Sequence, residues 1–220
     1  FSIISHDLRV PLTGIQMMLE SVKDDDKKLA TLRKLIPELK DEMRYTNNLF
    51  ENLLNWSKLQ LKETSISNQP VNISELTFKI AESLRPKASE KGVVINSDMS
   101  ETYINADKDV LEIVLRNLIS NAIKFTETDD SIAISGEWQQ DAFTIKVTDT
   151  GSGMSEEAIN KIQSNSFYTS PGTRNEKGTG LGLIICKDLI ERCHGNLSIE
   201  STRGKGTTLS IVLPQNGVHN

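Results

Sequence analysis

The sequence predicts an α+β chain of two parts. A helical hairpin forms a dimeric four-helix bundle, and a layered α/β sandwich with a mixed sheet follows it. Three observations carry this expectation. Up to about residue 64 the apolar residues recur only at helical spacing. Between residues 65 and 72 the pattern stops in a polar run containing Pro70. Beyond it, stretches of helical and of alternating periodicity take turns to about residue 214.

In the first part, Ile3, Ile4, Leu8, Leu12, Ile15 and Leu19 define a helix over about residues 1–24, closed by the polar run of residues 21–28. Pro11 lies inside it, removes one backbone donor and crowds the carbonyl of Asp7, so the helix bends there. A second stripe runs through Leu29, Leu32, Ile36, Leu39, Met43, Thr46, Phe50 and Leu53 and continues near Trp56 and Leu59. It is a heptad pattern with one polar break, and Pro37 kinks the helix without ending it. Two such helices cannot bury both stripes against each other alone, so residues 1–64 are expected to pair with a second copy as a four-helix bundle. The alternative is a monomeric hairpin lying on the following domain.

Residues 65–72 are expected to link the two parts, and residues 73–214 to form the second domain. A helix over residues 74–91 should stop at Gly92. Short strands follow over residues 93–96 and 103–105. Asp107 caps a long apolar helix ending at Phe125. Residues 132–138 and 143–148 alternate as a hairpin. A helix over residues 155–163, a polar stretch over 164–178, a helix over 180–193 ending at Gly195, and strands over 197–200 and 207–213 complete the domain. Residues 215–220 read as a polar, unstructured tail.

Composition narrows the function. The 220 residues are 25% charged with a net charge of −5, and no basic stripe points to nucleic acid. No run of 18 apolar residues occurs. The chain opens at Phe1 inside a helical pattern, so upstream residues are expected, including any membrane anchor; this portion is expected to be cytoplasmic. Cys186 and Cys193 share one helix face about 10 Å apart along its axis, too far for a disulfide. They read as small buried hydrophobes in a reducing compartment. His194 and His219 read as a helix-end residue and part of the tail.

Five stretches carry chemistry. In Ser5-His6-Asp7-Leu8-Arg9-Val10-Pro11-Leu12, His6 sits at the edge of the apolar stripe beside a carboxylate, and its imidazole is nucleophilic near neutral pH. Asn117, Asn121 and Lys124 project from one face of an apolar helix; amide oxygens suit a hard cation and the lysine suits phosphate. Asp149-Thr150-Gly151-Ser152-Gly153 ends a strand with an acceptor and two glycines. Lys177-Gly178-Thr179-Gly180-Leu181-Gly182 opens a helix, where backbone amides and the helix dipole favour an anion. Its glycines fit neither the dinucleotide fingerprint nor a P-loop. Arg203-Gly204-Lys205-Gly206-Thr207 is a turn into a strand. Taken singly, His6 is better read as a partly buried helix histidine, and each of the other stretches is as well read as an ordinary turn or a solvated helix face.

Taken together and in this order, these stretches resemble the phosphoacceptor box and the N, G1, G2 and G3 boxes of two-component sensor histidine kinases. Ser166-Phe167 with Tyr168 matches the F box, and the resemblance spans about residues 1–213. It implies a dimerisation and phosphotransfer hairpin followed by an ATP-binding domain of the Bergerat type. It implies that Asp149 bonds the adenine amino group, with Gly151, Gly153 and Thr207 close to the base. Asn121 would ligate Mg²⁺ with Asn117 beside it. Lys124, Lys177 and the backbone of Gly178, Thr179, Gly180, Leu181 and Gly182 would hold the phosphates, with Phe167 on the segment that closes over them. His6 would take the γ-phosphoryl group, and Asp7 would fix its tautomer and take up the developing charge. The phosphoryl group would pass to an aspartate on a response-regulator receiver.

Two positions sharpen the expectation. Superfamily ATPases carry a water-activating glutamate at the first N-box position; Asn117 cannot act as a base, which favours transfer over hydrolysis. Where kinases that also dephosphorylate their regulator carry Thr or Asn four residues after the histidine, this chain has Val10, which implies weak phosphatase activity. The alternatives are a dimeric scaffold that binds nucleotide and docks a receiver without efficient transfer, and a free-standing ATPase.

Overall fold

A computed structural model describes residues 67–164, 168–176, 178 and 180–215, with helical positions scattered between residues 13 and 50. The expectations for His6, Asp7, Val10 and the bend at Pro11 lie outside these residues. Pro37 lies among helical residues, and Ile36, Met43 and Phe50 are helical and exposed.

Among the described residues the second domain holds seven strands, β1 Gln69–Asn72, β2 Val94–Asp98, β3 Tyr103–Ala106, β4 Ser131–Gln139, β5 Ala142–Asp149, β6 Asn196–Thr202 and β7 Gly206–Pro214. The helices described there are α1 Ile73–Lys91, α2 Lys108–Phe125, α3 Glu156–Gln163 and α4 Gly182–Arg192. The main sheet has the order β2-β4-β5-β7-β6, with β2 parallel to β4 and every other pair antiparallel, so the expected mixed sheet forms.

The ends of the helices follow local chemistry. Asn72 caps α1 by accepting from the amide of Glu75 at 3.0 Å, and the helix stops where Gly92 takes φ +75°. Asp107 caps α2 by accepting from the amides of Asp109 and Val110 at 3.0 and 3.2 Å. Along α2 the pairs Val110–Leu111, Val114–Leu115, Leu118–Ile119 and Ala122–Ile123 are all buried. This steady four-residue step packs one face against the sheet and α1 and leaves Asn117, Asn121 and Lys124 on the opposite, half-buried face.

Three expectations are corrected. Gln69–Asn72, expected to be linker, is a strand paired antiparallel with Tyr103–Ala106 in a separate two-stranded sheet. Pro70 is tolerated because this strand is an edge. The last helix begins at Gly182 and not at Gly180, because Gly180 takes φ +67° and the chain turns helical only after Leu181. Gln215, expected in the tail, is 6% exposed, and its side chain bonds the amide and carbonyl of Asn105 at 2.8 and 3.2 Å. Cys186 is buried, Cys193 half-buried, and both are free.

Candidate functional site

Strand β5 sets one end of the site. Its inward positions Phe143, Ile145 and Val147 are buried apolar residues, and the next inward position is Asp149. A carboxylate therefore occupies a place where the alternation calls for an apolar side chain. It is 6% exposed, and burial pushes its carboxyl up to about 6, with the charge of Asp130 adding to the rise. Two backbone amides, those of Gly151 and Thr207, pull the other way. The Gly151 amide donates to Asp149 Oδ1 at 3.0 Å.

The surrounding turns interlock. Thr207 is the β7 partner of Asp149. The amide of Ser152 donates to the carbonyl of Phe125 at 3.0 Å, which docks the turn after β5 onto the last turn of α2. Gly151 is required there, since a Cβ on it would collide with that same carbonyl. The amide of Gly204 donates to the carbonyl of Ser152 at 2.7 Å, and that of Met154 to Ser201 Oγ at 2.8 Å. Gly153 and the β6–β7 turn thus close around Asp149.

The half-buried face of α2 sets the other end. Asn121 Nδ2 donates to Asn117 Oδ1 at 3.3 Å, which leaves Asn121 Oδ1 as a hard oxygen donor. The start of α4 lies against Asn117, and its N-cap residue, Leu181, makes no side-chain cap bond. Lys124 Nζ donates to the carbonyl of Ser170 at 2.9 Å and stands 4.7 Å from the centroid of the Phe125 ring. Burial lowers its pKa, and the nearby Lys87 and Lys91 add to this, while Glu176 opposes it. A Cβ on Gly178 would lie 2.5 Å from Lys124 Nζ, so the ammonium and the glycine-rich backbone are adjacent.

The fold thus gathers Asp149, Gly151, Gly153 and Thr207 at the end of the sheet. It gathers Asn117, Asn121, Lys124, Gly178 and Gly182 beside α2, with Gly180 and Leu181 leading into α4. Phe167, Lys177 and Thr179 lie outside the described residues. Among the described residues no group of three or more His, Cys, Asp or Glu side chains could hold a metal ion. Sequence reasoning missed Lys91, which is 5% exposed. Its signal was a charged residue in register with the buried stripe Ile73, Leu76, Ile80, Ala81 and Ala88 of α1.

Two family models cover the chain in tandem. The model described as His Kinase A (phospho-acceptor) domain matches residues 1–62, and that described as histidine kinase-, DNA gyrase B-, and HSP90-like ATPase matches residues 106–217. The chain belongs to this ATP-binding family, with a match to the histidine kinase phosphoacceptor domain ahead of it. Sensor protein SrrB of Staphylococcus aureus (strain N315) is 30% identical over 218 residues, covering 96% of this chain, and the chain spans 37% of that protein's length. Histidine kinase ThkA in complex with the response regulator protein TrrA is 26% identical with a TM-score of 0.73, covering 97% of this chain and 60% of that one. Acinetobacter baumannii histidine kinase AdeS, at 21% identity, shares the fold with a TM-score of 0.73 over 96% of this chain and 98% of that one. No helix among the described residues is long and apolar enough to cross a membrane.

Proposed function

We propose that the chain is the MgATP-dependent autokinase core of a two-component sensor, acting as a homodimer. The observation that carries the nucleotide half of this reading is Asp149, a nearly buried carboxylate at the inward end of β5. Such an acceptor suits the exocyclic amino group of adenine, with Gly151, Gly153 and Thr207 around it. At the other end, Asn121 Oδ1 and the adjacent Asn117 fit a hard divalent cation. Mg²⁺ there would take its remaining ligands from phosphate oxygens and water, and would neutralise charge on the phosphates. Lys124 and the backbone of Gly178, Gly180, Leu181 and Gly182, with Lys177 and Thr179, hold the phosphate tail. Phe167 is proposed, from the resemblance of its motif alone, to close over the nucleotide.

In the reaction, one imidazole nitrogen of His6 attacks the γ-phosphorus, the bond from that phosphorus to the bridging oxygen breaks, and ADP leaves. Asp7 accepts the other imidazole N–H, which fixes the tautomer and offsets the charge that develops on the ring. The phosphoryl group then passes from nitrogen to an aspartate oxygen of a receiver domain. The similarity to ThkA, whose solved complex contains a response regulator, supports that partner class. Homodimerisation through residues 1–64 is supported by Ile36, Met43 and Phe50, exposed helical positions at seven-residue intervals. Placement on the cytoplasmic side of a membrane-anchored sensor accords with the relative named as a sensor protein.

Side-by-side measurement of released inorganic phosphate and of protein-bound label from γ-labelled ATP tests the reaction type. Bound label well ahead of steady phosphate release is expected. Sustained release without bound label would make the chain an ATPase, and binding of nucleotide with neither would make it a scaffold.

A further inference from the structure

The most buried cation among the described residues lies outside the motifs. Lys91 ends α1, and its Nζ reaches five oxygens. It donates to the carbonyls of Ile123 and Lys124 at 2.9 Å each and of Thr126 at 3.3 Å, all at the C-terminal end of α2. It also donates to Thr173 Oγ1 at 2.8 Å and pairs with Glu176 at 2.7 Å. The first three contacts place a positive charge where the carbonyls of α2 are left without helical partners and the helix dipole is negative. The last two belong to the segment between α3 and α4.

That segment is folded into a turn around the same point. The amide of Gly172 donates to the carbonyl of Glu176 and the amide of Asn175 to the carbonyl of Gly172, each at 2.9 Å. The amide of Arg174 donates to Glu176 Oε2 at 2.8 Å. Thr173 binds α2 directly: its amide donates to the carbonyl of Lys124 at 3.1 Å and its hydroxyl to that of Thr126 at 2.7 Å. Arg174 Nη1 reaches the carbonyl of Glu90 at 2.9 Å on α1. One ammonium therefore ties together α1, the end of α2 and the turn of residues 172–176. The chain continues from that turn to Gly178, beside Lys124 Nζ.

We propose that Lys91 is a positioning residue for the phosphate half of the nucleotide site. Through Glu176 and Thr173 it latches the turn of residues 172–176 onto α2, so that the glycine-rich backbone and the ammonium of Lys124 converge before nucleotide arrives. The inference rests on the reading of Lys124 as a phosphate ligand. It assigns Lys91 no contact with ATP. Loosening the latch costs affinity for phosphates and leaves the adenine end at Asp149 as it was.

The test compares dissociation constants for ATP and for adenosine, by competition with a fluorescent ATP analogue, in the full chain. The variants are Lys91→Met, Glu176→Gln, Thr173→Val and Lys124→Met, with thermal melts to establish folding. Glu176→Gln and Thr173→Val change only the turn's side of the latch, so they keep the test open if Lys91→Met fails to fold. The latch variants are expected to bind ATP about tenfold more weakly, as for a displaced positioning group, with adenosine unchanged. Folded latch variants with the wild-type ratio of ATP to adenosine affinity, beside a Lys124→Met that lowers it, would overturn the latch and leave the site reading standing. Equal loss of ATP and adenosine would make Lys91 merely structural and also overturn it. If Lys124→Met itself leaves the ratio unchanged, the phosphate reading falls and the latch with it.

Discussion

A Cβ at Gly182 would lie 2.6 Å from Asn117 Oδ1, so the first residue of α4 and the first asparagine of the α2 face are in direct register. The amide head is the far end of a side chain that can turn away. Gly182→Ala is therefore expected to keep the fold, with about 1 kcal/mol of helix propensity gained against the cost of displacing Asn117. The same displacement breaks the 3.3 Å bond from Asn121. We expect an unchanged melting temperature to within a few degrees and a clearly weaker affinity for MgATP, measured by titration calorimetry.

Asp149 gives a pH dependence whose sign is fixed by its raised pKa, about 6 against an ordinary 3.8. Between these values the folded chain holds the proton more tightly than the unfolded one, so this group's contribution to stability falls as pH rises from about 4 through 6. Nucleotide binding should move the opposite way, since only the ionised carboxylate is a pure acceptor for the adenine amino group. ATP affinity is expected to fall as pH drops below about 6. In Asp149→Asn it should be weak and flat across that range, without loss of stability at neutral pH. An ATP affinity that rises on acidification would contradict the assignment.

The exposed heptad positions Ile36, Met43 and Phe50 give the dimer a direct test. A carboxylate buried without a partner in an apolar seam costs several kcal/mol. Phe50→Glu is accordingly expected to shift sedimentation equilibrium from dimer towards monomer at micromolar concentration. A wild-type chain already monomeric at that concentration would favour the hairpin lying on the second domain.

Val10 bears on the reverse reaction. We expect the wild-type chain to leave the half-life of a phosphorylated cognate receiver nearly unchanged, and Val10→Thr to shorten it. A phosphorylated receiver that loses phosphate much faster on adding the wild-type chain refutes this.

Much of the second domain was legible because its signals are local. Asp107 and Gly92 mark helix ends by chemistry that acts within three residues, and α2 repeats its buried pairs from Val110 to Ile123. Asp149 was legible as a motif at a strand end, and its place on the inward face of β5 emerged with the fold. Strand β1 was not, because four residues containing a proline carry little periodicity and their partner lies more than thirty positions away. Gln215 was hidden for a similar reason, since its partners at Asn105 are set by the fold alone. Lys91 gave half a signal. Its register on α1 marks it as buried, but nothing local shows that the carbonyls of α2 and the carboxylate of Glu176 meet it there.

His6 is the proposed acceptor of the γ-phosphoryl group of ATP. Incubating the wild-type chain and His6→Ala with γ-labelled ATP and Mg²⁺, then treating the labelled protein with acid and with base, tests it most directly. Acid-labile, base-stable label is expected on the wild-type chain and none on His6→Ala, which should still bind ATP. Label that persists in His6→Ala, or a wild-type chain that binds MgATP and takes up no label, would contradict it.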